Sequence, residues 1–192
     1  MPIEDIKMFG ILALQGGFDL HQKALERFGV QSQLIKKPEE LGQIQGLIIP
    51  GGESTALLKL MKPLNWREAI IAFAQQGKLI FATCAGLIIL SRPTSVARDY
   101  LGLIDIEVKR NAYGRQINSF VGLGTGLLGI PPFEMVCIRA PEVAFVGKDV
   151  EVLVSLAGRP MLLRQNNIVV ATFHPELNPT HSFYHWLVLN KI

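Results

Sequence analysis

Apolar positions in the first half of the chain fall into two alternating textures. Phe9 to Leu14, Gly46 to Ile49 and Leu79 to Ala82 are short, nearly unbroken apolar runs, the pattern of strands covered on both faces, and Val30 to Ile35 is a fourth strand. Asp19 to Phe28 instead carries helical spacing and is followed by Gly29 in the place of a terminating C′ residue. Pro38 to Leu41 reads as a short helical turn, and Ser54 opens a helix through about Met61. Asn65 stands as an N-cap with Glu68 at the capping-box position, beginning a helix that ends at Gly77. The run Leu79 to Ala82 leads through Cys84 into a helical stretch, Ala85 to Leu90. Strands and helices alternating at this spacing predict a parallel sheet with helices on both faces.

Beyond Leu101 the texture becomes β-rich, with runs at Ile104 to Val108, Met135 to Ile138, Val150 to Leu156, Met161 to Leu163 and Ile168 to Phe173. The glycine-rich segment 122–129, GLGTGLLG, reads as a loop, because no strand precedes it and no helix follows, as a nucleotide site would need. A last helix covers about Thr180 to Leu189. No repeat or linker interrupts the pattern, so the expectation is one domain over 1–192. Hydrophobic residues make up 49% of the chain, yet no apolar run approaches the ~20 residues of a membrane span, so the excess belongs in a core or an interface. A net charge of +3, with scattered basic residues, gives no reason to expect nucleic acid. Two cysteines and an acidic, proline-broken start point to a reducing cytoplasm and away from a secreted disulfide scaffold.

The chemistry gathers at predicted strand ends. Cys84 lies between a strand and a helix and is flanked by Ala82, Thr83, Ala85 and Gly86, the small-residue pattern of a nucleophile elbow. A helix N-terminus behind the sulfur favours thiolate. By itself the pattern equally suits a small buried cysteine. Among four histidines, His21 sits on the first predicted helix at a position read as exposed, and His181 and His185 share one face of the last helix without a third metal ligand. His174 differs: it ends the strand that begins at Ile168 and has Glu176 two residues on, able to accept the second ring proton. Pro50-Gly51-Gly52-Glu53-Ser54 ends another strand, where main-chain N–H groups can approach a substrate oxygen. Taken alone, that segment is an ordinary turn followed by an N-cap serine. Nucleophile, base and donors at three strand ends together form a Cys-His-carboxylate triad beside an oxyanion hole.

At this point the sequence resembles the class I, triad-type glutamine amidotransferases, and more narrowly the glutaminase subunit of pyridoxal 5′-phosphate synthase. The matching stretches are LALQGG (12–17), LIIPGGEST (47–55), TCAGLIIL (83–90), RNAYGRQ (110–116), IRAP (138–141) and FHPEL (173–177). The resemblance implies an α/β fold in three layers, a mostly parallel central sheet flanked by helices around a flavodoxin-like core. It implies that Cys84 attacks the carboxamide of L-glutamine, that His174 shuttles the proton and that Glu176 orients His174. It further implies substrate binding by Gly52, Glu53, Ser54, Arg110, Ile138 and Arg139, and oxyanion donors at Gly52 and Ala85. Without the resemblance, Arg110 and Arg139 would read as surface ion pairs. An arginine suits the site because a bidentate pair with the substrate α-carboxylate selects an amino acid over a plain amide. No cofactor and no metal are implied.

The resemblance also implies a partner, a (β/α)₈-barrel synthase subunit in a large hetero-oligomer that receives the ammonia, with Gln15 at the shared interface. Four positions depart from the family pattern. Ala82 replaces a glycine and crowds the elbow; Asn118 and Val121 replace an acidic pair; Cys137 stands where phenylalanine is common and is expected in a buried strand. Two rival readings keep the elbow: a glutaminase serving another synthase, which RNAYGRQ and IRAP oppose, and a non-catalytic redox sensor, which would need no imidazole base.

Overall fold

The computed structural model describes residues 8–95, 97–110, 119–124, 132–178 and 182–189. Asn118, most of RNAYGRQ, the glycine run from 125 on and His181 lie outside the described residues, as does the side chain of His185.

Seven strands form the central sheet. They are β1 (Phe9–Leu12), β2 (Ser32–Ile35), β3 (Gly46–Ile49), β4 (Leu79–Thr83), β9 (Glu151–Leu156), β10 (Arg159–Gln165) and β11 (Ile168–Ala171), in the order β2-β1-β3-β4-β11-β10-β9. The pairs from β2 to β11 are parallel, whereas β10 runs antiparallel to both β11 and β9. The first four strands take the 2-1-3-4 order of doubly wound folds, which reverses beside β1 and leaves a crevice at the carboxyl ends.

Strand parity shows why both faces are covered. On β4, Phe81 enters one core while Ile80 and Ala82 enter the other; on β3, Ile48 opposes Leu47 and Ile49 in the same way. One face packs α2 (Ser54–Met61), α3 (Trp66–Gln75) and α4 (Ala85–Leu90), through Leu57, Trp66, Ile70 and Ile89. The other packs α1 (Phe18–Arg27) and α5 (Ser182–Leu189), through Leu25, Phe183, Tyr184 and Trp186. Fully burying one such side chain contributes about 1.5–3 kcal/mol, so these two apolar layers dominate the driving force. The three-layer, mostly parallel α/β architecture is the one expected. Among the described residues no helix is long and apolar enough to cross a membrane.

Two small antiparallel pairs stand beside the sheet: β5 (Ile106–Lys109) with β8 (Glu142–Val146), and β6 (Phe120–Gly124) with β7 (Phe133–Cys137). Neither β6 nor β8 was expected, and residues 122–124 of the supposed glycine loop belong to β6. Glycine tolerates strand geometry, and Leu156 of β9 packs where a side chain on Gly122 would stand. Cys137 is fully buried on β7, as expected.

Two caps differ from expectation. Asn65 takes a left-handed conformation (φ 55°) that links a 3₁₀ turn, Lys62–Leu64, to α3, and its side chain makes no capping bond. An N-cap needs an extended backbone to aim its oxygen at the helix, and asparagine is here used for its tolerance of positive φ. The cap of α2 is Glu53, not Ser54: its carboxylate accepts from the main-chain N–H groups of Thr55 (3.0 Å) and Ala56 (2.6 Å).

Candidate active site

Because β1, β3, β4 and β11 are parallel, the loops leaving them emerge at one edge. There they line a cavity of about 360 Å³, bounded by Gly16 and Gly17 after β1, Gly51 to Ser54 after β3, Cys84 after β4, and His174 and Glu176 after β11. Arg110, following β5, and Ile138 and Arg139, following β7, close its rim. All nine residues expected in the triad and in substrate binding therefore meet in one space. A separate cavity of about 230 Å³, lined by Leu58, Met61, Arg67 and Leu101 among others, contains no cysteine or histidine.

Cys84 has φ 46° and ψ −100°, a conformation that costs an ordinary residue of order 1–3 kcal/mol and that the surroundings must hold. They do so at both ends of the residue. Its N–H donates to Ala171 O (2.9 Å) on the neighbouring strand, and its carbonyl accepts from Ile88 N (3.1 Å) inside α4. Ala82, the crowded elbow position, is accommodated by Gly86: a β-carbon there would lie 3.1 Å from that of Ala82 and would also collide with the Ile49 carbonyl.

The imidazole of His174 is hydrogen-bonded to Glu176, with Nδ1 to Oε1 at 2.7 Å, and it meets Cys84 beside the space that a β-carbon on Gly51 would fill. Burial works against its protonation. The neighbouring Cys84 sulfur and the hydrogen-bonded, negatively charged Glu176 outweigh burial and push its pKa up to about 10. Glu176 shows the converse balance. Its burial favours the neutral acid, but the electrostatic pull of His21 and the bond from His174 hold it below the usual carboxylate range.

Gly51 explains how ring and thiol come so close. A β-carbon at that position would lie 2.5 Å from His174 Cε1 and 3.3 Å from Cys84 Cβ. Its N–H donates to Thr83 Oγ1 (2.8 Å), which ties the glycine loop to the residue before the nucleophile. Gly52 is likewise closed to any side chain, because the Gln15 carboxamide occupies that space. Gln15 lies beside the cavity and not in its lining; its Nε2 donates to Glu53 O (3.3 Å) and its Oε1 accepts from Glu53 N (3.2 Å). Ala85 is buried directly behind the sulfur as the first residue of α4, where a helix leaves its N–H groups without intrahelical acceptors.

At the rim, Arg110 Nη2 donates to Thr55 Oγ1 (3.1 Å) and lies 3.6 Å from Glu53 Oε1. Main-chain N–H groups of Thr55 and Ala56, with Arg110, keep the exposed Glu53 carboxyl below its ordinary range. Ser54 is buried at the start of α2, Ile138 is exposed, and the exposed Arg139 has φ 47°. Among the described residues no group of three or more His, Cys, Asp or Glu side chains could hold a metal ion.

The reading of His21 as exposed is overturned. It is fully buried on α1, with Nε2 3.5 Å from Glu176 Oε2 and 3.5 Å from Thr83 Oγ1, and Nδ1 2.5 Å from Tyr184 Oη. Helical spacing puts the position on a helix, but its covering by α5 depends on a residue 163 positions away. The wall residues Leu20, Ile88 and Leu177 were also missed, since isolated apolar side chains carry no chemical signature.

A model of the SNO glutamine amidotransferase family matches residues 11–192. The chain belongs to that family. It is a glutamine amidotransferase. A Thermosipho africanus protein named pyridoxal 5′-phosphate synthase subunit PdxT is 46% identical over 169 residues, which cover 88% of this chain and 90% of the relative. A protein of the same name from Desulforamulus reducens is 45% identical over 187 residues, 96% of this chain and all of the relative. The solved structure of a glutamine amidotransferase superposes with a TM-score of 0.85 at 36% identity, covering 94% of this chain and 98% of that one. The PurLQS structure from Thermotoga maritima, at 17% identity and a TM-score of 0.65 over 89% and 88% of the two chains, shares the fold alone. Members of the SNO family and the wider fold thus bracket the three-layer sheet from near and far.

Proposed function

We propose that this chain is the glutaminase subunit of pyridoxal 5′-phosphate synthase, hydrolysing L-glutamine and passing ammonia to a synthase subunit in vitamin B6 biosynthesis. The observation that carries the reading is the convergence of Cys84, His174 and Glu176, the last two hydrogen-bonded to each other, inside a cavity that also holds Arg110 and Arg139. The names of the relatives at 45–46% identity supply the pathway.

In this reading the Cys84 thiolate attacks the carboxamide carbon of glutamine, and the carbonyl electron pair moves onto oxygen. The N–H groups of Gly52 and Ala85 receive that oxyanion; one such donor is worth about 10²–10³ in rate. Collapse breaks the C–N bond while the protonated His174 gives its proton to the departing ammonia. His174, now neutral, takes a proton from water, whose hydroxide attacks the thioester; glutamate leaves and the thiolate returns. Glu176 keeps Nδ1–H paired, so that the other ring nitrogen faces sulfur, leaving group and water. Arg110 and Arg139 receive the α-carboxylate. The partner is a (β/α)₈-barrel subunit in a large hetero-oligomer, and Gln15, bound to both main-chain polar groups of Glu53, lets docking act on the glycine loop.

The test mixes the chain with the synthase subunit of the same genome, pentose and triose phosphates and glutamine, and follows glutamate and pyridoxal 5′-phosphate. Cys84→Ser is expected to abolish both products with glutamine and to retain cofactor formation when ammonium salt replaces it. Glutaminase activity is expected to rise on adding the synthase. Glutamate release by Cys84→Ser at the parent rate overturns the proposed chemistry.

A further inference from the structure

The proposed triad uses one oxygen of Glu176. The other, Oε2, is buried and makes no hydrogen bond of good geometry, and His21 Nε2 lies 3.5 Å from it. His21 is itself fully buried and bounded on each side by polar groups of separate elements. Tyr184 Oη of α5 meets Nδ1, while Thr83 Oγ1, at the end of β4, and Glu176, in the 3₁₀ turn after β11, meet Nε2. Phe81 and Tyr184 pack edge-on against the ring. The charged groups acting on it are Glu176 and His174 from that turn and Asp19 from its own helix.

We propose that His21 is a positioning residue for this glutaminase, a neutral donor that holds the second oxygen of Glu176 and so fixes the carboxylate that orients His174. The inference rests on the triad reading above. The ring's two nitrogens fit one arrangement of protons: Tyr184 O–H donates to Nδ1, and Nε2–H points at Glu176 Oε2 and Thr83 Oγ1. Burial keeps His21 neutral, so it acts on Glu176 as an N–H dipole and not as a full charge; burial also keeps the Tyr184 hydroxyl protonated and able to donate. Thr83 extends the effect, because its Oγ1 also accepts the N–H of Gly51 in the oxyanion loop. One imidazole thereby links α1 and α5 to both the base and the donors of the site.

The test reads the rate of Cys84 alkylation by iodoacetamide against pH on the full chain alone, with no glutamine and no synthase, beside steady-state glutaminase kinetics of the complex. Removing the donor raises the pKa of Glu176 and weakens its support of the imidazolium, so His21→Leu is expected to move the acid limb of alkylation up by about one pH unit. It is expected to lower kcat by about 10-fold or more with little change in KM, since substrate contacts are untouched. His21→Gln, which keeps an N–H donor, is expected to restore most of the limb. Tyr184→Phe removes one hydroxyl and keeps the ring, so it reports on the same relay if His21→Leu fails to fold; a smaller shift in the same direction is expected. An acid limb that neither variant moves from its position in the parent chain overturns the role of His21 alone. A Cys84 alkylation profile that His174→Ala leaves unchanged overturns the triad reading and this inference with it.

Discussion

Gly51→Ala is the sharpest probe of whether contact between ring and thiol is what the glycine loop exists to allow. The added methyl would stand 2.5 Å from His174 Cε1 and 3.0 Å from Nδ1, whereas ordinary contact begins at 3.4 Å. The ring must therefore retreat by about 0.9 Å at its nearest carbon. It cannot do so freely, because the hydrogen bond to Glu176 is already 2.7 Å. A misplacement of about 1 Å at a reacting group costs about 10²-fold in rate. Two factors of ten correspond to about 2.7 kcal/mol of transition-state stabilisation. The expected result is kcat lower by about 100-fold with KM for glutamine changed far less, measured as glutamate release by the complex with its synthase. Gly42→Ala, at a position with nothing within 4 Å, is the control and is expected to match the parent. A Gly51→Ala enzyme within threefold of the parent would refute the reasoning, because the ring would then have room the structure denies it.

Two further predictions use the rim and the titrating groups. Arg110→Ala is expected to raise KM for glutamine by about 10- to 100-fold while kcat falls less, and Arg110→Lys to recover only part, since a point charge does not reproduce a bidentate fork; initial-rate kinetics over a wide glutamine range checks this. Thermal melting from pH 5 to 10 should show opposite limbs. Burial lowers the His21 pKa below 6.5, so its contribution to stability is complete above pH 6.5 and declines as pH falls below it; His21→Gln is expected to flatten that acid limb. The His174 pKa is raised to about 10, so its contribution is complete below pH 6.5 and is lost as pH rises through 10; His174→Asn is expected to flatten the alkaline limb.

Much of this site is visible in the linear chain because each of its parts is local. A strained elbow needs small neighbours, so Ala82, Ala85 and Gly86 announce Cys84; an orienting carboxylate two residues from a base needs only a turn, so His174 and Glu176 appear together. What hid was of two kinds. Asn65 looked like a cap because residue type alone does not say whether its backbone will be extended or left-handed. Strands β6 and β8 went unseen because their burial is partial and uneven, with Val121 and Leu123 exposed, so that neither leaves a clean apolar period.

The order of apolar and polar residues determined which segments became strands and helices, and strand parity determined that both faces of the sheet would be covered. Those are properties of a few consecutive residues and of water's exclusion from them. The surroundings of His21 were decided only when the sheet placed α1 beside α5 and the turn after β11, bringing Tyr184 and Glu176 to a ring that helical spacing alone made look solvent-facing. A periodic pattern records how much of a side chain is covered; which distant group covers it depends on the order of the strands, and so does the chemistry of a buried polar residue.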